Sequence, residues 1–356
     1  MIPSGPELRE ALAEAGADAW LIFEFHGLNP VARRLLPLSG LNTRRLFVLL
    51  PAEGEPVAIA HRIELHPLAG FPGRVVPYSR WEELHAALGT IVAGRRAHLA
   101  RQLEGLQRQR RRADHLAIVR MDDRPVEVPA GVAGSVVIVD LPPDPELPAD
   151  RLRLAAARNL GVRAVGPGTV VLLDVDCIPG ADLVAAYERA AESVDGLLCG
   201  GLRYLEPEQP RPGWTEPDLL AASAPHPARP GSGPEHLRRD DRHELAWTTS
   251  LAFRRESFDR IGGFDERFSG YGGEDTDFAF RARDAGLGVW WCDDAVAFHQ
   301  HHPTQSPPVQ HLADIVRNAA LFKQIHGWYP MRGWLEAFAD RGLVEFDPER
   351  GRLVRA

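Results

Sequence analysis

Two acidic patterns and a run of histidines hold the residue types from which a reaction centre could be built. Val170-Val-Leu-Leu-Asp174-Val-Asp176 is an apolar run that ends in two carboxylates one residue apart. On an extended chain alternate side chains point the same way, so the two acids would converge at the end of a buried strand. In open α/β sheets ligands bind at the carboxyl ends of the strands. Two hard oxygen donors there suit Mg2+ or Mn2+, and such an ion bridges the phosphates of a nucleoside diphosphate. Two solvated acids at a strand end are the plain alternative for so short a pattern.

The second pattern is Ile261-Gly-Gly-Phe264-Asp-Glu-Arg-Phe268-Ser-Gly-Tyr271-Gly272-Gly273-Glu274-Asp275-Thr-Asp277-Phe278. Glycines let a backbone approach a ligand closely. Glu274 and Asp275 then open a helix, where the helix dipole favours acids whatever their role. The third is Phe298-His299-Gln300-His301-His302, three histidines in four positions after a predicted strand. His299 and His301 share a face if the chain stays extended. Carboxylate and imidazole together favour Mn2+ over Mg2+.

These residues need a scaffold, and the pattern along the chain supplies one. Strands are expected at Thr90–Val92, His115–Val119, Ser135–Val139 and Thr169–Leu173, with helices at Arg95–Arg108, Arg151–Val162 and Ala181–Glu192 between and after them. Such alternation implies a parallel, Rossmann-like sheet. Residues 206–234, rich in Pro, Gly and Ala, read as a long loop over a site. Regular structure is expected to resume with Trp247–Phe253, with strands at Val289–Trp291 and Ala295–Phe298 and helices at 254–261, Glu274–Ala285, 308–326 and 332–342. Residues 1–88 form a separate small α/β unit, 89–330 the main domain and 331–356 a helical extension.

The order of these signals resembles a known family. The helix with Ala155-Ala-Ala-Arg158-Asn159-Leu-Gly161, a turn, the apolar strand and the D-x-D resemble family 2 glycosyltransferases of the GT-A fold. The glycine-rich acidic segment resembles that of galactosyltransferase-like GT-A enzymes, with Tyr271 where that group usually has Trp. The resemblance implies an α/β fold with a mixed, mainly parallel sheet flanked by helices, preceded by a small N-terminal α/β module. It implies inverting transfer of a sugar, from a nucleotide-diphosphate donor such as a UDP-hexose, to a hydroxyl of a glycan or small molecule. Asp174, Asp176 and His299 would hold the metal, with His301 in reserve. Thr90, Ala93, Asp122, Asp123, Arg158, Asn159, Asp174, Gly272 and Gly273 would bind the nucleotide sugar. Asp275 leads as catalytic base and Glu274 as a contact to acceptor or sugar; which of the two takes the proton stays open. Trp247, Trp290 and Trp291 are core by default and acceptor-groove residues otherwise. The rival readings are a metal-dependent nucleotide-sugar hydrolase and a non-catalytic binding module for nucleotide sugar or glycan.

Residues 7–87 resemble a different family. Leu8-Arg-Glu-Ala-Leu-Ala-Glu-Ala-Gly-Ala-Asp-Ala-Trp-Leu-Ile-Phe, Gly27-Leu-Asn-Pro30 and Thr43-Arg-Arg-Leu-Phe-Val-Leu-Leu-Pro look like the non-catalytic N-terminal domain of the creatinase and Xaa-Pro peptidase group. No catalytic peptidase pattern follows, so a structural or pairing role is expected of it.

Bulk properties fit this reading. A net charge of −8 and a pI near 6.0 argue against general nucleic-acid binding. No apolar run reaches the length of a membrane span, and the N-terminus lacks a secretory pattern. The expected location is cytoplasmic, at most peripheral to the inner membrane face. Three cysteines without a CxxC pair argue against a disulfide framework or structural zinc. Lys323 is the only lysine among many arginines, the coding bias of a GC-rich bacterial genome.

Overall fold

The computed structural model describes residues 5–15, 17–25, 28–36, 44–52, 54–65, 68, 70–78, 94–121, 125–148, 151–229, 235–302 and 305–355. Two compact units divide the chain at Gly94 and Arg95.

The first unit contains α1 (Gly5–Glu14), β1 (Ala19–Glu24), α2 (Pro30–Leu35), β2 (Leu46–Pro51), β3 (Val57–His61) and β4 (Arg74–Tyr78). Its sheet runs in that strand order, antiparallel except for the parallel pair β3·β4. Asn29 starts α2 because its side-chain oxygen accepts from the Val31 and Ala32 N–H groups, and Pro30 needs no such partner. Leu8, Leu12, Ile22, Val48 and Leu50 form the core of this unit.

The second unit opens with α3 (Gly94–Gln107), then β5 (Ala113–Arg120) and β6 (Ala133–Asp140), which pair in parallel. It continues with α4 (Leu154–Val165), β7 (Thr169–Leu173), β8 (Cys177–Pro179), α5 (Leu183–Ser193) and β9 (Gly196–Leu205). Next come α6 (Glu216–Ala221), β10 (Ser223–Pro225), β11 (Leu237–Asp240), β12 (Ser250–Arg254), α7 (Arg255–Ile261), α8 (Glu274–Asp284) and β13 (Gly288–His299). Helices α9 (Leu312–His326) and α10 (Arg332–Asp340) and the hairpin β14 (Val344–Asp347) and β15 (Arg352–Arg355) close the chain.

The large sheet has the order β11-β13-β9-β12-β7, with β10 on the end of β9 and β8 on the end of β13. It is mixed, as expected, but it is not mainly parallel: only β9·β13 runs parallel within it. Up to α5 the strands come in pairs between helices, β5 with β6 and β7 with β8. Beyond it β9 to β12 follow one another with a single short helix, and such direct returns bring antiparallel neighbours. The sheet is buried on both faces. Leu197, Cys199, Leu251 and Phe253 pack against α4, α7 and α8, while Leu198, Leu202 and Ala252 pack against α5. Each face takes alternate residues of the same strands, as the pleat requires.

Three other expectations change. The loop expected over 206–234 contains α6 and β10. Val289–Trp291 and Ala295–Phe298 belong to one strand, β13, with an irregular register between Cys292 and Ala297. Residues 331–356 are not an all-helical extension: after α10 they form the β14–β15 hairpin, which shares a core with Ile315 and Ala319 of α9, and Tyr329, beyond the end of α9, donates its hydroxyl to Gly351 O.

Candidate active site

Strand β7 delivers the first acid pair, and a turn then separates it. Cys177 N donates to Asp174 O at 2.9 Å, so residues 174–177 turn instead of extending. The extended geometry on which a shared face depended is therefore not kept, and the two acids have different partners. Asp174 Oδ1 lies 3.3 Å from Arg158 Nη2. Asp176 is buried and faces two imidazoles: its Oδ1 is 3.6 Å from His299 Nε2 and its Oδ2 is 3.5 Å from His302 Nε2.

His299 ends β13, beside Cys177 of β8 and Tyr204 of β9. Its ring stacks on Tyr204 at 4.5 Å and 14°. The strand stops there because Gln300 turns inward. Gln300 N donates to Asp176 O at 2.7 Å and its Nε2 to His98 O at 3.0 Å. Alternation is lost at this point, so His301 is exposed and His302 returns to the site. The reserve ligand of the sequence reading is thus replaced by its neighbour, because the chain bends one residue earlier than an extended run would.

Asp176, His299 and His302 offer ligand atoms that all lie within 4.8 Å of one another. Bonds of about 2.0–2.2 Å from a central ion would bring such atoms to separations of up to about 4.4 Å. One carboxylate and two imidazoles suit Mn2+ better than Mg2+. Asp174 stands outside this trio, held by Arg158 instead.

Arg158, on α4, also reaches the second acid pair. Its Nη1 donates to Glu274 Oε1 at 2.8 Å, with both side chains largely buried. The two carboxylates around it keep the guanidinium protonated and raise its pKa, against the opposing effect of burial. Burial raises the carboxyl of Asp174, and Arg158 opposes that shift. Asp275 is pushed up to about 7, first by burial and then by the charge of Glu274, with Arg158 pulling it down. Its Oδ1 accepts from Thr276 N at 2.7 Å.

The loop before Glu274 needs glycine. Gly272 and Gly273 have φ of +90° and +94°, a region that side chains disfavour. Asn318 of α9 clamps the loop, its amide donating to Ser269 O at 3.1 Å and Gly272 O at 2.7 Å. Asp277 is fully buried between Arg281 and His326 and anchors α8. The aromatic face of Tyr271 is stacked on His311 at 4.4 Å.

Asn159 does not point into the site. Its Oδ1 accepts from Phe264 N at 2.8 Å and its Nδ2 donates to Phe264 O at 2.9 Å and Glu266 Oε1 at 2.8 Å. The amide is used up in fixing the Gly-Gly-Phe-Asp-Glu segment, which corrects its assignment to the nucleotide sugar. Thr90, Ala93, Asp122 and Asp123 lie outside the described residues. A cavity of about 80 Å3 at the end of β6 is lined by Met121, Leu141, Pro142 and Arg153, next in sequence to Asp122.

Trp291 is core, with its indole N–H on Asp240 Oδ2 at 2.7 Å. Trp247 is half-buried, edge-on to His226 at 5.0 Å, and His226 in turn lies 5.1 Å from Tyr204. Burial, then Arg229 and His299, hold the His226 imidazole below its ordinary value. Tyr204, His226 and Arg229 were missed in the sequence. They come from β9 and from the expected loop, where only Pro and Gly content was legible.

Comparison with known proteins bears on this edge of the sheet. A family model described as the N-terminal domain of galactosyltransferase matches residues 231–303, which span β11 to the histidine run. The chain is 28% identical over 173 residues to chondroitin synthase of Pasteurella multocida, covering 42% of this chain and 18% of that one. It is 30% identical over 191 residues to an N-acetylglucosaminyl-diphospho-decaprenol L-rhamnosyltransferase of Mycobacterium tuberculosis, covering 51% of this chain and 53% of that one. It therefore spans about half the length of the latter relative and a smaller part of the former. A crystal structure of GalNAc-T7 with UDP, GalNAc and Mn2+ aligns with a TM-score of 0.41 and 12% identity, over 68% of this chain and 55% of that one.

Proposed function

We propose that the second unit is a GT-A-type glycosyltransferase that moves a sugar from a nucleoside-diphosphate donor to an acceptor hydroxyl, with inversion. One observation carries the reading. A metal-type trio (Asp176, His299, His302) and a buried carboxyl raised to about 7 (Asp275) flank in sequence the two acids that Arg158 bridges, Asp174 and Glu274. The match to a galactosyltransferase family model and the named transferases among the relatives support it.

In this reading Asp275 takes the proton from the acceptor hydroxyl. That oxygen attacks the anomeric carbon, and the bond to the diphosphate breaks on the opposite face. A base works best with a pKa near the working pH, and Asp275 meets that condition. Glu274 is committed to Arg158 and serves to hold sugar and loop rather than to move the proton. A divalent ion, when bound to Asp176, His299 and His302, supplies charge stabilisation for the departing diphosphate. Asp174 and Arg158 line the donor side, and the UDP-hexose class is the donor expected from the galactosyltransferase-like segment. Helices long and apolar enough to cross a membrane are absent among the described residues.

Calorimetric titration with UDP, GDP and dTDP, with and without Mn2+, tests the reading. Metal-dependent binding of one nucleotide, lost in Asp176→Ala, is expected. A folded protein that binds none of them would overturn it. Nucleotide-sugar breakdown at the same rate with and without any acceptor would make the protein a hydrolase instead.

A further inference from the structure

Glu274 and Asp275 sit between two points that a single helix holds. That helix, α9, begins beyond the match to the galactosyltransferase family model, which ends at residue 303. Asp314, Asn318, Phe322 and His326 recur along α9 every fourth residue, so they fall on one side of it. All four engage the acidic segment. Asp314 Oδ2 accepts from Tyr271 N at 3.3 Å. The buried Asn318 amide donates to Ser269 O and to Gly272 O. Phe322 is buried in one cluster with Phe268 and Phe280, which bracket the segment in sequence. His326 Nε2 lies 2.9 Å from Asp277 Oδ1 and donates to it, because a carboxylate accepts.

The clamps at Gly272 and Asp277 leave only Gly273, Glu274, Asp275 and Thr276 between them. Gly272 and Gly273 are in left-handed backbone, and glycine has the most conformational freedom to lose, so this loop needs an outside hold. Asp277 is fully buried, and a buried charge persists only with good partners. It has two, His326 and Arg281, whose Nε donates at 2.8 Å. Arg281 carries the tie onward, its Nη1 donating to Ile261 O at 3.1 Å and Gly263 O at 2.7 Å. The His326 ring is itself fixed, 4.3 Å from the Phe322 ring. A chain held at both ends of four residues has the direction of its first helical turn set by the holder.

We propose that α9 is a splint for the acidic segment, with Asn318 and His326 as positioning residues that aim the Asp275 carboxyl at the acceptor hydroxyl. The acceptor and the base rest on the transferase reading, whereas the splint rests on the contacts of α9 alone.

The test compares the full chain with His326→Leu, His326→Gln and Asn318→Ala. Amide hydrogen exchange is read by mass spectrometry, the Asp275 carboxyl by NMR of aspartate-labelled protein, and UDP–Mn2+ affinity by calorimetry. In His326→Leu and Asn318→Ala, amides of residues 272–278 are expected to exchange roughly 10- to 100-fold faster, the scale of one lost buried hydrogen bond. Amides of β9 and β12 keep their rates, and UDP–Mn2+ affinity does not change. The Asp275 carboxyl, raised first by burial, titrates lower as water reaches the loosened turn. His326→Gln, which keeps an N–H donor for Asp277, exchanges and titrates as the wild type does. Asn318→Ala carries the same test if His326→Leu does not fold. A folded His326→Leu or Asn318→Ala whose segment exchanges and titrates like the wild type overturns the proposal. So does faster exchange spread evenly over β9, β12 and the segment, the mark of a general loss of stability. UDP and Mn2+ titrated into the wild type report separately on the transferase reading. No nucleotide binding together with the local effect would sink that reading and keep the splint.

Discussion

Asp174–Asp176 and Glu274–Asp275 stand on unlike scaffolds, a turn at a strand end and the first turn of a helix behind two left-handed glycines. They nevertheless divide in the same way. One acid of each pair is tied to Arg158, Asp174 at 3.3 Å and Glu274 at 2.8 Å. The other has different surroundings, Asp176 facing two imidazoles and Asp275 with its carboxyl raised to about 7. A single cation thus offsets two of four neighbouring acids and leaves the other two in different environments. Pushing apart the behaviour of close carboxyl groups is how one site comes to hold both a metal ligand and a base.

The sharpest way to break this comparison is to exchange the roles of Glu274 and Asp275. Asp275→Asn is expected to lower kcat by about 10²- to 10⁴-fold, the usual range for a general base, with UDP–Mn2+ affinity retained. If Asp275→Asn turned over normally while Glu274→Gln lost the rate, the division of labour would be reversed.

Removing the shared cation comes next. Arg158→Met leaves Glu274 buried without its partner, and breaking such a pair costs about 3 kcal/mol. Urea denaturation reads this as a lower midpoint with an unchanged slope. A midpoint equal to that of the wild type would mean that the two acids never depended on Arg158.

Much of this was legible in the sequence, for identifiable reasons. Apolar periodicity placed α4, β7, α5 and α8 within a few residues, because each buries one regular face. Proximity of the acids and His299 followed from their places at the ends of strands. What failed were the orientations. The assumption of extended chain put Asp174 and Asp176 on one face and paired His299 with His301, and both stretches turn instead. Asn159 has the chemistry of a ligand contact, and only the bonds to Phe264 reveal a structural role. Arg229 gave no signal, since the two indoles it lies between, Trp247 and Trp291, are brought to it by the sheet.

The Asn159 correction is itself a finer test. Asn159→Ala strands the Phe264 N–H and is expected to cost about 2 kcal/mol in stability. Donor KM should hardly change, because the amide faces the loop. A large rise in KM at full stability would restore the original assignment.

The pH profile gives the smallest effect and the finest discrimination. Asp275 works as a base only when ionised, so kcat/KM should climb as pH rises through about 7 and level off above it. One unit below that point roughly a tenth of the molecules carry the ionised base, and the rate is about a tenth of the plateau. The stability contribution has the opposite sign. A carboxyl raised on folding holds its proton more tightly in the folded state than in the unfolded state, where it ionises near 3.9. Stability from this group is therefore full below about 4 and is lost as pH rises towards 7, the interval in which activity grows. Arg158 pulls the Asp275 carboxyl down, so Arg158→Met should move the limb of the rate profile to higher pH. A limb that stays in place in that variant would cut the link between the two acid pairs, and one guanidinium would no longer account for both.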